Sequence, residues 1–168
     1  VQRWWPTQST IKVAARSLEP KVSAQELARV KTEFADVAVS GPVTVKAGEK
    51  SFTLTPKAFA PAIVLAADDS GTITPKADAK KLSAIVSAAA KKAGAEVVAK
   101  DAVVTFSGST PTVTPDVPGV GLDDASVQTE VWKAITTPTR TATVTTKAVA
   151  PKFTTAIAKA TLPKEKIS

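Results

Sequence analysis

The chain has 168 residues, of which 43% are hydrophobic and 22% charged, and it carries a formal net charge of +7. This length is enough for one domain to bury a core without disulfides or a metal, and the composition is that of a globular protein. The sequence contains no His, Cys, Met, Tyr or Asn. Their absence excludes Ser-His-Asp and Cys-His catalytic units, thiol redox chemistry, N-glycosylation, and the usual nitrogen and sulfur ligands of zinc, copper and haem. We therefore expect no enzyme activity, no cofactor and no metal site.

The excess of positive charge comes from lysines spread along the chain, while arginines and aromatic residues are few. Nucleic-acid-binding proteins group their basic residues and add aromatic side chains for stacking, so we expect no nucleic-acid partner. The net charge predicts an unspecific attraction to polyanions, including an anionic cell surface. The longest apolar run, 58–67, is shorter than a membrane span and contains Pro61, and no signal peptide opens the sequence. If the protein is exported, we expect its targeting segment and any membrane anchor outside this sequence.

Capping and alternation signals predict the elements of the first half. Ser23-Ala24-Gln25-Glu26 has the pattern of a capping box and predicts a helix that Gly41-Pro42 ends. Alternating apolar residues on both sides of Ala47-Gly48-Glu49 predict a β-hairpin with one buried face. The other predictions are a short helix from Pro56 that carries Phe59 and Ile63, a turn at 68–71, a strand at 72–74, and a helix capped by Asp78 with Leu82, Ile85, Val86, Ala89 and Ala90 inward. The first helix is expected to face inward with Leu27, Val30, Phe34 and Val37.

The second half continues with another hairpin, 103–106 and 110–114, around Ser107-Gly108-Ser109. A loop with Pro115, Pro118, Gly119 and Gly121 follows. Asp123 or Asp124 is expected to cap a helix whose inward residues are Val127, Val131, Ala134 and Ile135. The alternating, Thr-rich stretch 139–149 predicts one long strand, and 153–160 a short last helix. Hairpins mixed with three or four helices, without regular strand–helix alternation, predict an α+β fold in which helices pack on antiparallel sheet.

The two ends of the sequence resemble each other. Residues 10–23 align without a gap with residues 141–154, at a constant offset of 131 positions. Thr, Val, Pro and Lys are identical in the two stretches, and four further positions are similar in kind. Chance similarity between two Thr/Val-rich strands is the alternative. The repeat predicts that 1–22 is the tail of a preceding copy or an inter-domain linker, and that the chain is one period of a tandem array.

Several short stretches occur in a familiar order: 39–45 at the end of the first helix, 50–56, 117–123, and the Thr-rich strand that ends at Pro151. Together they resemble the peptidoglycan-binding domain that precedes VanW-type domains in exported Gram-positive proteins, and that also occurs before L,D-transpeptidase domains. The resemblance covers 23–162, and 163–168 looks like the junction to a following VanW-type domain.

This resemblance implies a non-catalytic module at the cell surface, tethered through an anchor outside this sequence, that binds or spans peptidoglycan or another anionic cell-wall polymer. It also implies tandem copies and contacts with adjacent domains of the same chain. The alternative is a spacer domain without a ligand, which positions its neighbours away from the membrane. The family has no agreed catalytic residues, so the resemblance assigns no site residue.

Four residues are weak candidates for ligand contact. Trp4 and Trp5 have flat aromatic faces that can stack on sugar rings, although they lie in the predicted tail, where packing against a missing core or a neighbouring copy is the alternative. Gly119 and Gly121 permit backbone to approach a ligand closely, with a tight turn as the alternative. Trp132 flanks the inward stripe of its helix and is expected to pack at the core boundary.

Three further patterns have simpler explanations. Ser9-Thr10-Ile11-Lys12 matches the Ser-x-x-Lys motif of penicillin-binding enzymes, but Ser9 and Lys12 point to opposite faces of the predicted strand. The acidic stretch that begins at Asp68 lacks the ligand spacing of an EF-hand, so a hairpin turn is expected. Asp123-Asp124 is better explained as a helix cap than as a catalytic carboxylate pair.

Overall fold

The computed structural model describes residues 20–108 and 110–162. Within them, strands and helices alternate irregularly, as expected for an α+β fold, and no described helix is long and apolar enough to cross a membrane. The strands are β1 (Val43–Ala47), β2 (Lys50–Leu54), β3 (Ile63–Ala67), β4 (Ile73–Ala77), β5 (Val103–Ser107), β6 (Thr110–Thr114), β7 (Gly119–Leu122), β8 (Thr141–Val144) and β9 (Thr146–Val149). The α-helices are α1 (Ala24–Val30), α2 (Asp36–Val39), α3 (Pro56–Phe59), α4 (Ala79–Lys92), α5 (Asp124–Ser126), α6 (Trp132–Thr136) and α7 (Thr155–Thr161).

Two wide π-helical turns make longer helices out of these pieces. Lys31–Ala35 joins α1 to α2, and Val127–Val131 joins α5 to α6. A short 3-10 turn, Ala60–Ala62, follows α3. The predicted helices that begin after Ser23, Thr55, Asp78 and Asp123 are therefore all present, and α7 confirms the predicted last helix.

The main sheet has the strand order β2-β1-β8. β1 and β2 form the predicted antiparallel hairpin, with Val45 opposite Phe52 and Gly48 at a φ of 59° in the turn. β8 lies parallel to β1 on its other side, which hairpin patterns alone do not indicate. The other strands form separate two-stranded antiparallel pairs, β3–β4, β5–β6 and β7–β9.

The core lies between the main sheet and the helices α4 and α5–α6. Its side chains are apolar, and among the described residues no polar or charged residue is fully buried. Burial of each large aliphatic side chain contributes about 1.5–3 kcal/mol, so this layer accounts for the stability of the domain. The most completely buried large side chains are Phe59, Leu54, Leu82, Ile135, Val43, Val45, Val86, Val127, Val131 and Val144.

The capping box at Ser23 is only half formed. The Ser23 hydroxyl accepts a hydrogen bond from the Glu26 amide at 3.1 Å, as expected. The Glu26 carboxylate, however, does not complete the box, because it accepts from the amide of Ile73 at 2.7 Å and from Arg29. Glu26 therefore ties α1 to β4. On the predicted inward face of this helix Val30 is buried, whereas Leu27 is 56% exposed.

Three predictions are wrong in detail. Ile63 does not lie in a helix but begins β3, which pairs with β4 in a hairpin. The sequence predicted only a short strand at 72–74 and not its partner strand. The predicted loop with Gly119 and Gly121 contains β7, because segment 97–100 and β9 supply hydrogen-bonding partners on both sides. The third concerns the predicted long strand at 139–149.

That strand is two strands, divided at Thr145. The amide of Thr145 donates to the Ser126 hydroxyl at 3.0 Å, and its carbonyl accepts from the Asp123 amide at 2.9 Å. Since both backbone groups serve the start of α5, they are not available to a sheet. The chain therefore continues from β8 in the core sheet to β9 beside β7.

Arg140 joins the ends of two helices. It has a φ of 52°, which is unusual for a residue with a side chain. Its guanidinium donates to the carbonyl of Ala38 at 2.7 Å, to that of Ile135 at 3.0 Å and to the Ser40 hydroxyl at 3.0 Å. A cation at two helix C-termini compensates their exposed carbonyls and dipoles. Burial lowers the pKa of Arg140 from its ordinary value.

Candidate functional site

Segment 97–100, β7 and β9 form a three-stranded ribbon outside the main sheet. Val97 and Val120 exchange two backbone hydrogen bonds of 2.8 Å, and Lys100 and Val117 exchange two of 2.9 Å. Gly119 lies at the closest approach, because a Cβ there would be 2.5 Å from the Ala99 nitrogen and 2.6 Å from the Val97 oxygen. The requirement for glycine at this position is therefore explained by the packing of the chain on itself.

A cavity of about 410 Å³ opens on this ribbon. We call it the valine groove, because Val97, Val98, Val120 and Val149 line it, together with Gly121 and Lys152 among others. These valines are 38–69% exposed, which is unusual for four neighbouring aliphatic residues. A second cavity, of about 230 Å³, shares Glu96, Gly121 and Val149 with the groove and continues towards Ser83 and Ser87 of α4.

The charged groups around the groove fall into two kinds. The two carboxylates that line the groove are engaged: Asp101 accepts from the amides of Lys152 and Phe153 at 2.7 and 3.0 Å, and Glu96 pairs with Lys91 at 3.4 Å. Asp124 lines the second cavity. Lys147 and Lys152 line the two cavities and form no salt bridge to another described residue. The groove thus offers an apolar surface with the Lys152 side chain in its lining and Lys147 in the adjoining cavity, and no aromatic ring of a described residue lines it.

A third cavity, of about 260 Å³, lies between α1, α6 and β4, and we call it the aromatic hollow. The half-buried Trp132 and Phe34 meet there with ring centroids 5.8 Å apart and planes inclined by 37°. The expectation that Trp132 packs at the core boundary is met by this contact. The exposed part of its ring, which the sequence did not indicate, forms one wall of the hollow.

Arg29 fills the polar side of the aromatic hollow. It pairs with Glu26 at 2.6 Å and with Glu33 at 2.9 Å, and it donates to the carbonyl of Ile73. The hydrogen bond from Arg29, with that from the Ile73 amide, lowers the pKa of Glu26 to about 2. Each of these charges is therefore already satisfied within the domain, and only the aromatic faces are left for a ligand.

The structure describes two of the four candidate residues. Trp4 and Trp5 lie outside the described residues, as do Ser9 and Lys12. Gly119 and Gly121 are close together, but only Gly121 lines the groove, while Gly119 is covered by segment 97–99. The groove itself was not predicted, because its valines are separated in sequence and carry no motif.

The acidic residues with simpler explanations have the expected structural roles. Asp68 accepts from the Ser70 amide and hydroxyl and from the Thr72 amide within a turn, and these bonds lower its pKa. Asp123 caps α5 through the Ser126 amide at 2.9 Å. Among the described residues, no three acidic side chains come together as a metal site would require.

Comparison with known families gives the identity of the domain. Residues 31–142 match the model of the family described as "Putative peptidoglycan binding domain". The chain belongs to this family. No curated protein and no solved structure matches it significantly.

The matched residues of the peptidoglycan-binding domain run from the first π turn into β8. They include β1, β2 and the first half of β8 in the core sheet, Trp132, and the part of the groove formed by Val97, Val120 and Gly121. β9 and Lys152 lie beyond the match. The family description names binding and no reaction, which agrees with a cell-wall binding role.

Proposed function

We propose that the chain is a non-catalytic module of an exported, membrane-anchored Gram-positive protein, and that it binds peptidoglycan outside the cell. The observation that carries this proposal is the family match over residues 31–142. We further propose the domain boundaries 23–162, with 1–22 as the tail of a preceding copy and 163–168 as the junction to a VanW-type domain. The membrane anchor belongs to another part of that protein.

The valine groove is the contact surface in this proposal. Peptidoglycan combines glycan strands with short peptides that are rich in alanine and carry free carboxylates. A surface of valine side chains can cover alanine methyl groups, and Lys147 and Lys152 can pair with carboxylates. Sugar rings are usually recognised by aromatic stacking, for which the described residues of the groove offer no side chain. The groove therefore suits the peptide part of the polymer better than the glycan part.

The direct test is sedimentation of the purified chain with insoluble peptidoglycan. We expect the protein to pellet at low salt and to remain bound when ionic strength is raised to about 0.3 M, where long-range attraction between exposed charges is screened. Complete loss at that salt would mean that only the charge of +7 attracts it. Failure to pellet at low salt, with the domain folded, would contradict the proposal.

A pair of matched substitutions tests the groove itself. Val98→Asp places a charge in the apolar groove at a side chain that is 69% exposed, so pelleting should fall at least about tenfold without loss of folding. Val64→Asp is the control, because Val64 is an exposed strand valine on β3 opposite Lys76, away from the groove. If both variants pellet like the parent chain, the groove is not the binding surface, and Trp132→Ala then tests the aromatic hollow.

The second candidate function is a spacer without a ligand. It is favoured by a specific observation: α1 and α7 each have seven residues and begin at positions 131 residues apart, the same offset as the sequence repeat. A spacer should not remain bound to peptidoglycan at about 0.3 M salt, and it should still hold its neighbours at a fixed separation.

A further inference from the structure

We propose that residues 20–30 form a rigid joint with a preceding copy of this domain. Residues 151–161 are the equivalent segment at the other end of the domain, and they show the contacts that a preceding copy would make with residues 20–30. The inference rests on the tandem organisation proposed above. The proposal names the residues that make the contact, and it names what covers the exposed face of α1.

The two segments have the same local structure. Pro20-Lys21 and Pro151-Lys152 are identical pairs at the repeat offset. Ser23 and Thr154 are the N-caps that follow them, with φ and ψ of −74° and 154° in one and −85° and 160° in the other. Each hydroxyl accepts a hydrogen bond from the amide three residues later, at 3.1 and 3.3 Å. The two segments are thus similar in sequence, in backbone conformation and in the hydrogen bond that caps the helix.

Their surroundings are different, and the two sets of contacts are complementary. α1 is held from the side of its own domain: the Lys21 ammonium pairs with Asp69 at 2.9 Å, and Glu26 accepts from Ile73 of β4. α7 is held by the domain that precedes it in sequence. Asp101 accepts from the Lys152 and Phe153 amides, and Asp116 accepts from the Thr155 amide and hydroxyl.

The buried faces of the two helices are complementary as well. Ala158 of α7 is fully buried where the helix packs on β6, whereas its counterpart Leu27 in α1 is 56% exposed. Ile157 of α7 is 45% exposed, whereas its counterpart Glu26 is engaged with β4. The equivalent helices α1 and α7 therefore each have two faces that can be covered. In α1 the structure shows a partner for the Glu26 face, and in α7 it shows a partner for the Ala158 face.

The occupant of the Leu27 face follows from this comparison. It is the β5–β6 hairpin of a preceding copy, the last strands of which would correspond in sequence to residues 10–19. The Asp101 of that copy would accept from the amides of Lys21 and Val22, for which no described residue provides an acceptor. Such a joint has hydrogen bonds and apolar contact on both sides, so it fixes the orientation of successive copies instead of linking them flexibly.

A two-copy protein tests this joint. Residues 20–150 are followed directly by residues 20–162, so that the second α1 takes the place of the first copy's α7 and every core element is kept. In this protein, Lys21 and Val22 of the second copy occupy the place of Lys152 and Phe153 of the first. We expect their amides to exchange hydrogen at least about tenfold more slowly than the same amides in the single chain, the order that a charge-assisted hydrogen bond provides. Small-angle scattering should show one narrow distance between the copies.

Substitutions in the two-copy protein keep the test specific. Leu27→Glu in the second copy should broaden the distribution of distances between the copies that small-angle scattering measures. In the single chain the same change should leave the free energy of unfolding unchanged. Gln25→Glu is the matched control, because the counterpart Ala156 is exposed. Asp101→Ala in the first copy should remove the amide protection, because it removes the acceptor, whereas the same change in the second copy should affect only the final helix. Independent tumbling of the two copies, or unprotected amides at the junction, would overturn the joint. No peptidoglycan is present in this experiment, so its failure would leave the binding proposal intact.

Discussion

Replacing three glycines by alanine tests whether close packing requires glycine in the ribbon under the groove. Two of them lie in the ribbon, and the third, Gly41, lies elsewhere and serves as the control. Gly41, Gly119 and Gly121 have φ angles that any residue can adopt, so replacement by alanine tests space and not backbone conformation. An added Cβ meets nothing within 4 Å at Gly41. At Gly121 it lies 3.0 Å from Cγ2 of Val149, and at Gly119 it lies 2.5 Å from the Ala99 nitrogen.

The expected costs follow from what each Cβ would have to displace. The Val149 methyl is the end of a side chain and can move, so Gly121→Ala should cost less than about 1 kcal/mol. Segment 97–99 is backbone, held by the two hydrogen bonds between Val97 and Val120, and cannot move away without losing them. Overpacking of this kind costs about 1–3 kcal/mol. Gly119→Ala should therefore lower the free energy of unfolding by about 2–3 kcal/mol, and Gly41→Ala should change it by less than about 0.5 kcal/mol.

Urea and thermal unfolding followed by circular dichroism measure these differences. For a domain of this size, Gly119→Ala should lower Tm by roughly 5–10 °C, while Gly41→Ala leaves it within about 2 °C. Equal stability of the Gly119 and Gly41 variants would refute the close approach of segment 97–99.

Two further predictions concern groups that hold the helices in place. Arg140→Ala should lower the free energy of unfolding, measured in urea, by about 2–4 kcal/mol, because it removes charge-assisted hydrogen bonds to the ends of α2 and α6. Arg140→Lys should restore only part of the loss, since one ammonium cannot reach three acceptors. The Thr155 hydroxyl and amide lower the pKa of Asp116 from its ordinary value of 3.8, so its contribution to holding α7 is complete above that value and is lost as the pH falls through the lowered pKa. The protection factor of the Thr155 amide, which corrects its exchange rate for the intrinsic pH dependence, should therefore fall below about pH 4 in the parent chain. Asp116→Asn should lose this pH dependence, and an unchanged pH profile in the variant would contradict the assignment.

Local signals were sufficient to predict most elements of this fold. Ser23, Asp78 and Asp123 were expected as helix caps, and each side chain accepts the expected amide. The alternating apolar residues on both sides of Gly48, Val43 and Val45 before it and Phe52 and Leu54 after it, predicted the core hairpin, because one apolar face must be buried. These predictions depend on residues within a few positions of one another, and tertiary structure leaves them unchanged.

The wrong predictions concern positions where a distant partner decides the structure. Thr145 alternates like a strand residue, but Asp123 and Ser126 take its backbone groups and divide the strand. β3 is a strand because β4 pairs with it, although its run of Ile63, Val64 and Leu65 has no alternation. The valine groove could not be predicted for the same reason, since Val98 and Val149 are brought together only by the ribbon.

The groove and the joint share residues, so the two proposals are physically coupled. Pro151 and Lys152 line the valine groove, and they are also the first residues of the segment that corresponds to Pro20-Lys21. In an array, the Asp69 of a following copy would pair with Lys152 as it does with Lys21 here, leaving Lys147 as the free ammonium beside the groove. A ligand in the groove would then contact the joint itself. Occupancy of the groove should therefore further restrict the motion between copies, and a binding module and a rigid spacer would be two properties of one surface.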